Sequence, residues 1–167
     1  MIDMEKKVLS LLVENHAGVL ARVASLFCQR GFNIDSLTVS ATDEPDISRI
    51  TIVTQGDEAS YDQILKQTRK LIETRDIFPL EASGSVQREL LLIKLAADAA
   101  VRSDIRQIAE IYRAKIVDLS AESMILELTG DPDKIDGFLQ VISASYKILE
   151  MCRTGVTAME RGPAQHS

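Results

Sequence analysis

The sequence predicts an α+β fold of two ferredoxin-like βαββαβ units in tandem. Three observations carry this reading. Apolar runs of strand length alternate with stretches of helical period, and their order is strand, helix, strand, strand, helix, strand. That order then occurs a second time. A Gly-Asp pair, first Gly56-Asp57 and then Gly130-Asp131, stands before the second helix of each unit. On this reading residues 1–82 form one domain and residues 86–167 another. The small, polar stretch Glu81-Ala82-Ser83-Gly84-Ser85 links them.

Each element has a local reason. Val8 to Val13 is a short apolar run, hence a strand, and Asn15-His16-Ala17-Gly18 is a polar break after it. Val19, Leu20, Val23, Ala24, Leu26 and Phe27 recur at helical spacing on one face, and Gly31 ends that helix as a left-handed cap. Phe32 to Val39 reads as a strand, and Thr42 to Asp46, with Pro45, as a loop. Ile50 and Ile52 alternate with Arg49 and Thr51, the mark of a half-buried strand over Ser48 to Thr54. Asp57 is placed to cap a helix whose stripe is Tyr61, Ile64, Leu65, Thr68, Leu71 and Ile72. Ile77 to Leu80 supplies an edge strand containing Pro79.

The second unit follows the same logic. Glu89 to Ala96 is a strand, and Ile105, Ile108, Ala109 and Tyr112 form a helical stripe. Lys115 to Leu119 and Met124 to Leu128 form a strand pair. Asp131 is an N-cap with Pro132 at the first helical position, and Ile135, Phe138, Leu139 and Ile142 are that helix's inner face. Ile148 to Val156 holds the last strand. Such small layered units leave a sheet face and edge strands uncovered, so an oligomer is expected.

Composition excludes several classes of function. The 167 residues carry a net charge of -6, no Trp, three Tyr and four Phe. Nucleic-acid binding calls for a basic face and stacking aromatics, and both are scarce here. No apolar run approaches a membrane span of ~20 residues, and Met1 to Lys7 lacks the apolar region of a signal peptide, which points to the cytoplasm. Cys28 and Cys152 each sit in an apolar stretch with no CxxC, which reads as two buried free thiols. No His, Cys and carboxylate cluster has metal spacing, and there is no GxSxG, Walker loop, HExxH or GxGxxG. No catalytic or metal-binding residue is therefore assigned. Asp43-Glu44-Pro45-Asp46 is read as a solvated loop, and Arg153-Thr154-Gly155 as a strand-end surface feature.

The informative place is Asn15-His16-Ala17-Gly18-Val19-Leu20, where a strand turns into a helix N-terminus. Gly18 lets a ligand approach the backbone closely, and the unpaired N–H groups of the helix start favour a carboxylate. Asn15 either orients such a ligand or caps the turn. Val19, Leu20 and Ile34 offer an aliphatic pocket. Asn33 is either a turn residue or a second polar contact to the same ligand, and His16 is most simply a solvated loop residue. Taken together, the groups suit a small apolar amino acid.

These residues resemble a known family. Asn15-His16-Ala17-Gly18-Val19-Leu20 is similar to the ligand loop of ACT domains, although Ala17 stands where Pro is common. The run from Phe27 through Gly31-Phe32-Asn33-Ile34-Asp35-Ser36 to Val39 resembles the bacterial regulatory, or small, subunit of acetolactate synthase. Ser48 to Ile52, Arg88-Glu89-Leu90, Lys115 to Asp118, Thr129-Gly130-Asp131 and Arg153-Thr154-Gly155 extend the resemblance over nearly the whole chain. It implies that residues 1–82 are an ACT domain that binds an effector and dimerises. It implies a homodimer with valine bound at its interface by Asn15, His16, Ala17, Gly18, Val19, Leu20, Asn33 and Ile34. It also implies a catalytic partner, the acetolactate synthase catalytic subunit, which carries the thiamine diphosphate, magnesium and FAD; this chain would hold no cofactor. The chain would activate that enzyme and confer feedback inhibition in branched-chain amino-acid biosynthesis. Alternatives are an ACT-type amino-acid sensor acting on another enzyme, and a small enzyme on a ferredoxin-like scaffold.

Overall fold

The structure, a computed structural model, describes residues 5–163. It divides into two compact units. The first contains β1 (Glu5–Glu14), α1 (Val19–Gln29), β2 (Ile34–Ala41), β3 (Ile47–Gly56), α2 (Glu58–Thr68) and β4 (Thr74–Pro79). Its strands pair antiparallel in the order β2-β3-β1-β4. Alternation decides which face is buried. Leu9, Leu11, Val13, Ile50, Ile52 and Ile77 point one way and meet Val19, Val23 and Phe27 of α1 and Tyr61 and Ile64 of α2. Gly31 has φ of 75°, as the left-handed cap reading requires, and Phe32 then turns back edge-on to Phe27.

Asp57 caps α2 by accepting the Ser60 N–H at 2.7 Å. The α2 stripe ends earlier than its period suggests. The Thr68 hydroxyl donates back to Ile64 O, the chain turns through Arg69 and Lys70, and Ile72 is left 91% exposed. Leu71 alone of that pair reaches the core.

The second unit contains most of β5 (Ser85–Ala96), α3 (Arg102–Tyr112), β6 (Lys115–Leu119), β7 (Ser123–Gly130), α4 (Pro132–Ser145) and β8 (Ile148–Arg153), with strand order β6-β7-β5-β8. Leu91, Ile93, Leu95, Leu126 and Leu128 pack on Ile105 and Ala109 of α3 and on Ile135, Phe138 and Ile142 of α4. Asp131 caps α4 through the Lys134 N–H at 2.9 Å, with Pro132 at the start of the helix. Both Gly-Asp pairs therefore do the same work. At the far end of the unit, Arg153 donates to Glu89 at 2.7 Å and to Asp136 at 2.6 Å, tying β8 to β5 and α4. The Thr154 hydroxyl accepts the Leu90 N–H.

Three expectations are corrected. The stretch from Glu81 is a tight turn rather than a loose linker: Gly84 N–H and the Ser85 hydroxyl both donate to Glu81 O, and Ser85 is already buried in β5. The strand expected over Ile148 to Val156 stops at Arg153, and residues from Val156 onward belong to the first unit instead of the second. A separate strand, β9 (Thr157–Glu160), pairs with β5, and Val156 and Ala158 pack on Val53, Phe78 and Leu80. Part of the sheet face expected to lie open is therefore covered by the chain's own C-terminal segment. The two cysteines are exposed, not buried. Cys28 follows the buried Phe27 by one residue and so turns off the core face of α1, and Cys152 pairs with the exposed Leu92 on β5.

Candidate effector site

The loop after β1 is held in place from three sides. Asn15 N–H donates to Asp46 O at 2.8 Å, and the Asn15 side-chain amide donates to Pro45 O at 2.8 Å, fastening the loop to the β2–β3 hairpin. Glu14 N–H donates to Glu73 O. Glu73 is buried and its carboxylate pairs with Arg22 of α1. His16 lies between Glu14 Oε2 at 3.1 Å and Ala17 O at 3.2 Å, exposed throughout.

Gly18 is the residue before α1, in the left-handed region with φ of 91°, and no side chain caps the helix. A Cβ built on Gly18 would meet nothing within 4 Å, so the approach to the helix start is open. An uncapped helix start with exposed backbone is suited to a carboxylate. Ala17 and Leu20 flank this opening, with Leu20 42% exposed. Val19 does not face it: this side chain is 4% exposed and belongs to the core.

Asn33 and Ile34 sit elsewhere. Asn33 donates its amide to Asp35 at 2.7 Å, and Asn33 O accepts from the Thr54 hydroxyl at 2.6 Å. Ile34 is half-buried against the core. Helix α1 has 11 residues, about 16 Å of axis, between this segment and Gly18. The sheet register agrees. Glu14 pairs with Ile47 and Ile34 with Thr54, seven residues apart on β3, or roughly 24 Å. Within one chain the predicted residues therefore form two clusters at opposite ends of the sheet. The sequence did not disclose this separation, nor the parts taken by Pro45, Asp46, Glu73 and Arg22, because hairpin and loop contacts leave no periodic signal.

A groove of about 340 Å³ lies along α1, lined by Ala21, Arg22, Ser25, Leu26, Gln29 and Leu71, none of them a predicted site residue. Among the described residues no group of three or more His, Cys, Asp or Glu is arranged to hold a metal ion, and no helix is long and apolar enough to cross a membrane.

The chain is similar to known proteins along its whole length. Residues 9–76 match the small-subunit-like ACT domain of acetohydroxyacid synthase, and residues 88–162 match the family described as the small subunit of acetolactate synthase. The acetolactate synthase small subunit of Mycolicibacterium smegmatis is 48% identical over 155 residues, covering 93% of this chain and 91% of the relative. The isozyme 3 small subunit of Salmonella typhimurium is 41% identical, covering 94% and 96%. The crystal structure of the acetolactate synthase small subunit from Thermotoga maritima superposes with a TM-score of 0.87 at 38% identity, covering 96% of this chain and 99% of that one. With both halves matched and relatives this close over their full length, the chain belongs to the family of acetolactate synthase small subunits.

Proposed function

We propose that this chain is a non-catalytic regulatory subunit that activates an acetolactate synthase catalytic subunit and makes it sensitive to valine. The separation of the two residue clusters is the observation that carries the effector part. Gly18 and Asn33 lie at opposite ends of α1, so one small amino acid cannot touch both within a single chain. Two copies can bring them together. β2 is an edge strand, and its Val39 is 39% exposed. Pairing two β2 strands antiparallel about a two-fold axis sets Ile34 of one protomer beside the Ala41 end of its partner. Ala41 pairs with Ser48, next to the Ile47–Glu14 pair that leads into the Asn15 loop. Each interface then holds two equivalent sites, with Asn15, His16, Ala17, Gly18 and Leu20 from one protomer and Asn33 and Ile34 from its partner. Val19 supports the loop from the core.

In this arrangement the α1 start receives the effector's carboxylate, Asn33 and the free oxygen of Asn15 serve its ammonium group, and Leu20 and Ile34 enclose its branched side chain. Thiamine diphosphate, magnesium and FAD belong to the catalytic partner, in the cytoplasm. Valine regulates by binding one arrangement of the dimer better than another. A coupling of about 1–3 kcal/mol gives roughly 5–150-fold control. The test is reconstitution with a separately purified catalytic subunit. Acetolactate formation should rise when this chain is added and fall again with valine. A rate indifferent to the chain would refute the regulatory reading, and a rate raised by the chain but indifferent to valine, leucine and isoleucine would refute the effector reading.

A further inference from the structure

β2 loses its register beside the effector segment. Ile34 pairs with Thr54, and Ser36 pairs with Val53, so Asp35 is an extra residue in a bulge. At a bulge the ladder no longer sets the direction of the chain. Here side chains set it: Gln55 Nε2 and Asn33 Nδ2 both donate to the Asp35 carboxylate at 2.7 Å, and Thr54 holds Asn33 O.

Ser36 is where the register resumes, and it has a distant partner. The Val156 N–H donates to Ser36 Oγ at 2.8 Å, across 120 residues of sequence. Val156 is 3% exposed, so its N–H needs an acceptor, and none is available from a regular ladder at that point. Val53, the strand partner of Ser36, lies in the same apolar cluster as Val156 and Ala158. Ser36 Oγ is thus a point where the strap from Val156 to Glu160 meets β2, at the end of the bulge that carries Asn33.

We infer that Ser36 is a positioning residue for the effector: by accepting the Val156 N–H it fixes the bulge that aims Asn33, so strap docking and effector binding favour one another. This rests on the reading of Asn33 and Ile34 as effector-lining residues. Linkage makes the coupling reciprocal, so valine must tighten the strap by the factor by which the strap tightens valine binding.

The experiment uses the full chain. L-valine is titrated calorimetrically into the parent, Ser36→Ala and Ser36→Thr, with thermal melting of each. Hydrogen exchange of the Val156 amide is followed in the parent with and without saturating valine. Ser36→Ala should raise the Kd for valine about three- to tenfold, the range for one hydrogen bond. Ser36→Thr keeps the acceptor and should bind within about twofold of the parent. In the parent, valine should slow exchange at Val156 by a factor similar to the loss in Ser36→Ala. A lowered Tm with an unchanged Kd would make Ser36 merely structural and overturn the inference. So would Val156 exchange that ignores valine. If the parent binds none of valine, leucine and isoleucine, the effector reading itself fails and takes this inference with it.

Discussion

The Asn15 amide and the Pro45 carbonyl are joined at 2.8 Å, which ties the loop that leads into α1 to the β2–β3 hairpin. One hydrogen of the Asn15 amide is thereby spent inside the protein, and its oxygen is left to accept from a ligand. Asn15→Asp should keep an acceptor, lose the bond to Pro45 and set a new charge beside the helix start. It should weaken valine binding at least tenfold, measured by calorimetric titration.

Gly18→Asp places a carboxylate where the effector's own is expected. Its φ of 91° adds backbone strain of ~1–2 kcal/mol for any residue with a Cβ. Gly18→Ala carries the strain without the charge. The expected result in the reconstituted enzyme is valine inhibition abolished in Gly18→Asp and weakened in Gly18→Ala, with activation largely kept in both. Full valine sensitivity in Gly18→Asp would move the site elsewhere.

Valine should stabilise the dimer, because a ligand held between two protomers binds only the associated form. At a hundredfold excess over its dissociation constant the gain is about 2.7 kcal/mol per site. Asn33→Ala should weaken binding and remove that gain together while the chain stays folded. Sedimentation velocity at low protein concentration, with and without valine, reads this directly. Equal affinity for a monomer would sink the interface site.

The strap bears on what a fragment of the chain can keep. A piece ending at Ser85 would still contain the whole βαββαβ order, but it would leave Val53, Phe78 and Leu80 without Val156 and Ala158. Burying a Val side chain is worth roughly 1.5–3 kcal/mol. Truncation after Gly155 should therefore lower the Tm of the first unit and raise its binding of a hydrophobic dye. Val156→Asp should do the same in the full chain. An unchanged Tm in both would show that the strap contributes little to stability.

Among the described residues, Arg153 is the side chain that neutralises Glu89, which is 6% exposed. Burial opposes the Arg153 charge, but the Asp136 and Glu89 carboxylates outweigh it and raise its pKa. Arg153→Ala strands a buried carboxylate and should cost about 3–5 kcal/mol in chemical denaturation. Glu89→Gln should cost less, since no charge is left uncompensated.

The caps and core faces were legible because their causes are local. Asp57 and Asp131 each stand three residues before the N–H they accept, and Ile50 and Ile52 face the core as their spacing requires, but the strand expected to be half-buried is buried on both faces, with Thr51 3% exposed. The corrected parts depend on distant residues. Nothing near Val156 announces that its N–H will meet Ser36, and the apolar run from Ile148 conceals the break at Thr154-Gly155. Of the candidate site, the open helix start at Gly18 was legible from the polar break before α1; its left-handed backbone was not, and Asn33 lies a helix length away from it. Sequence adjacency to the end of α1 says nothing about distance from its beginning.

Because the first unit takes residues from both sides of the second, its completion has an order in time. A chain emerging from the ribosome can form the first sheet early, but Val156 and Ala158 emerge only after the whole of the second unit. Until then the surface of Val53, Phe78 and Leu80 is exposed on a nascent chain whose second unit is already folding. Docking of the strap then closes a contact across 120 residues, a step slow in loop-closure terms but already shortened by the folded segment between its ends. Completion of the first unit therefore waits until the second has been made.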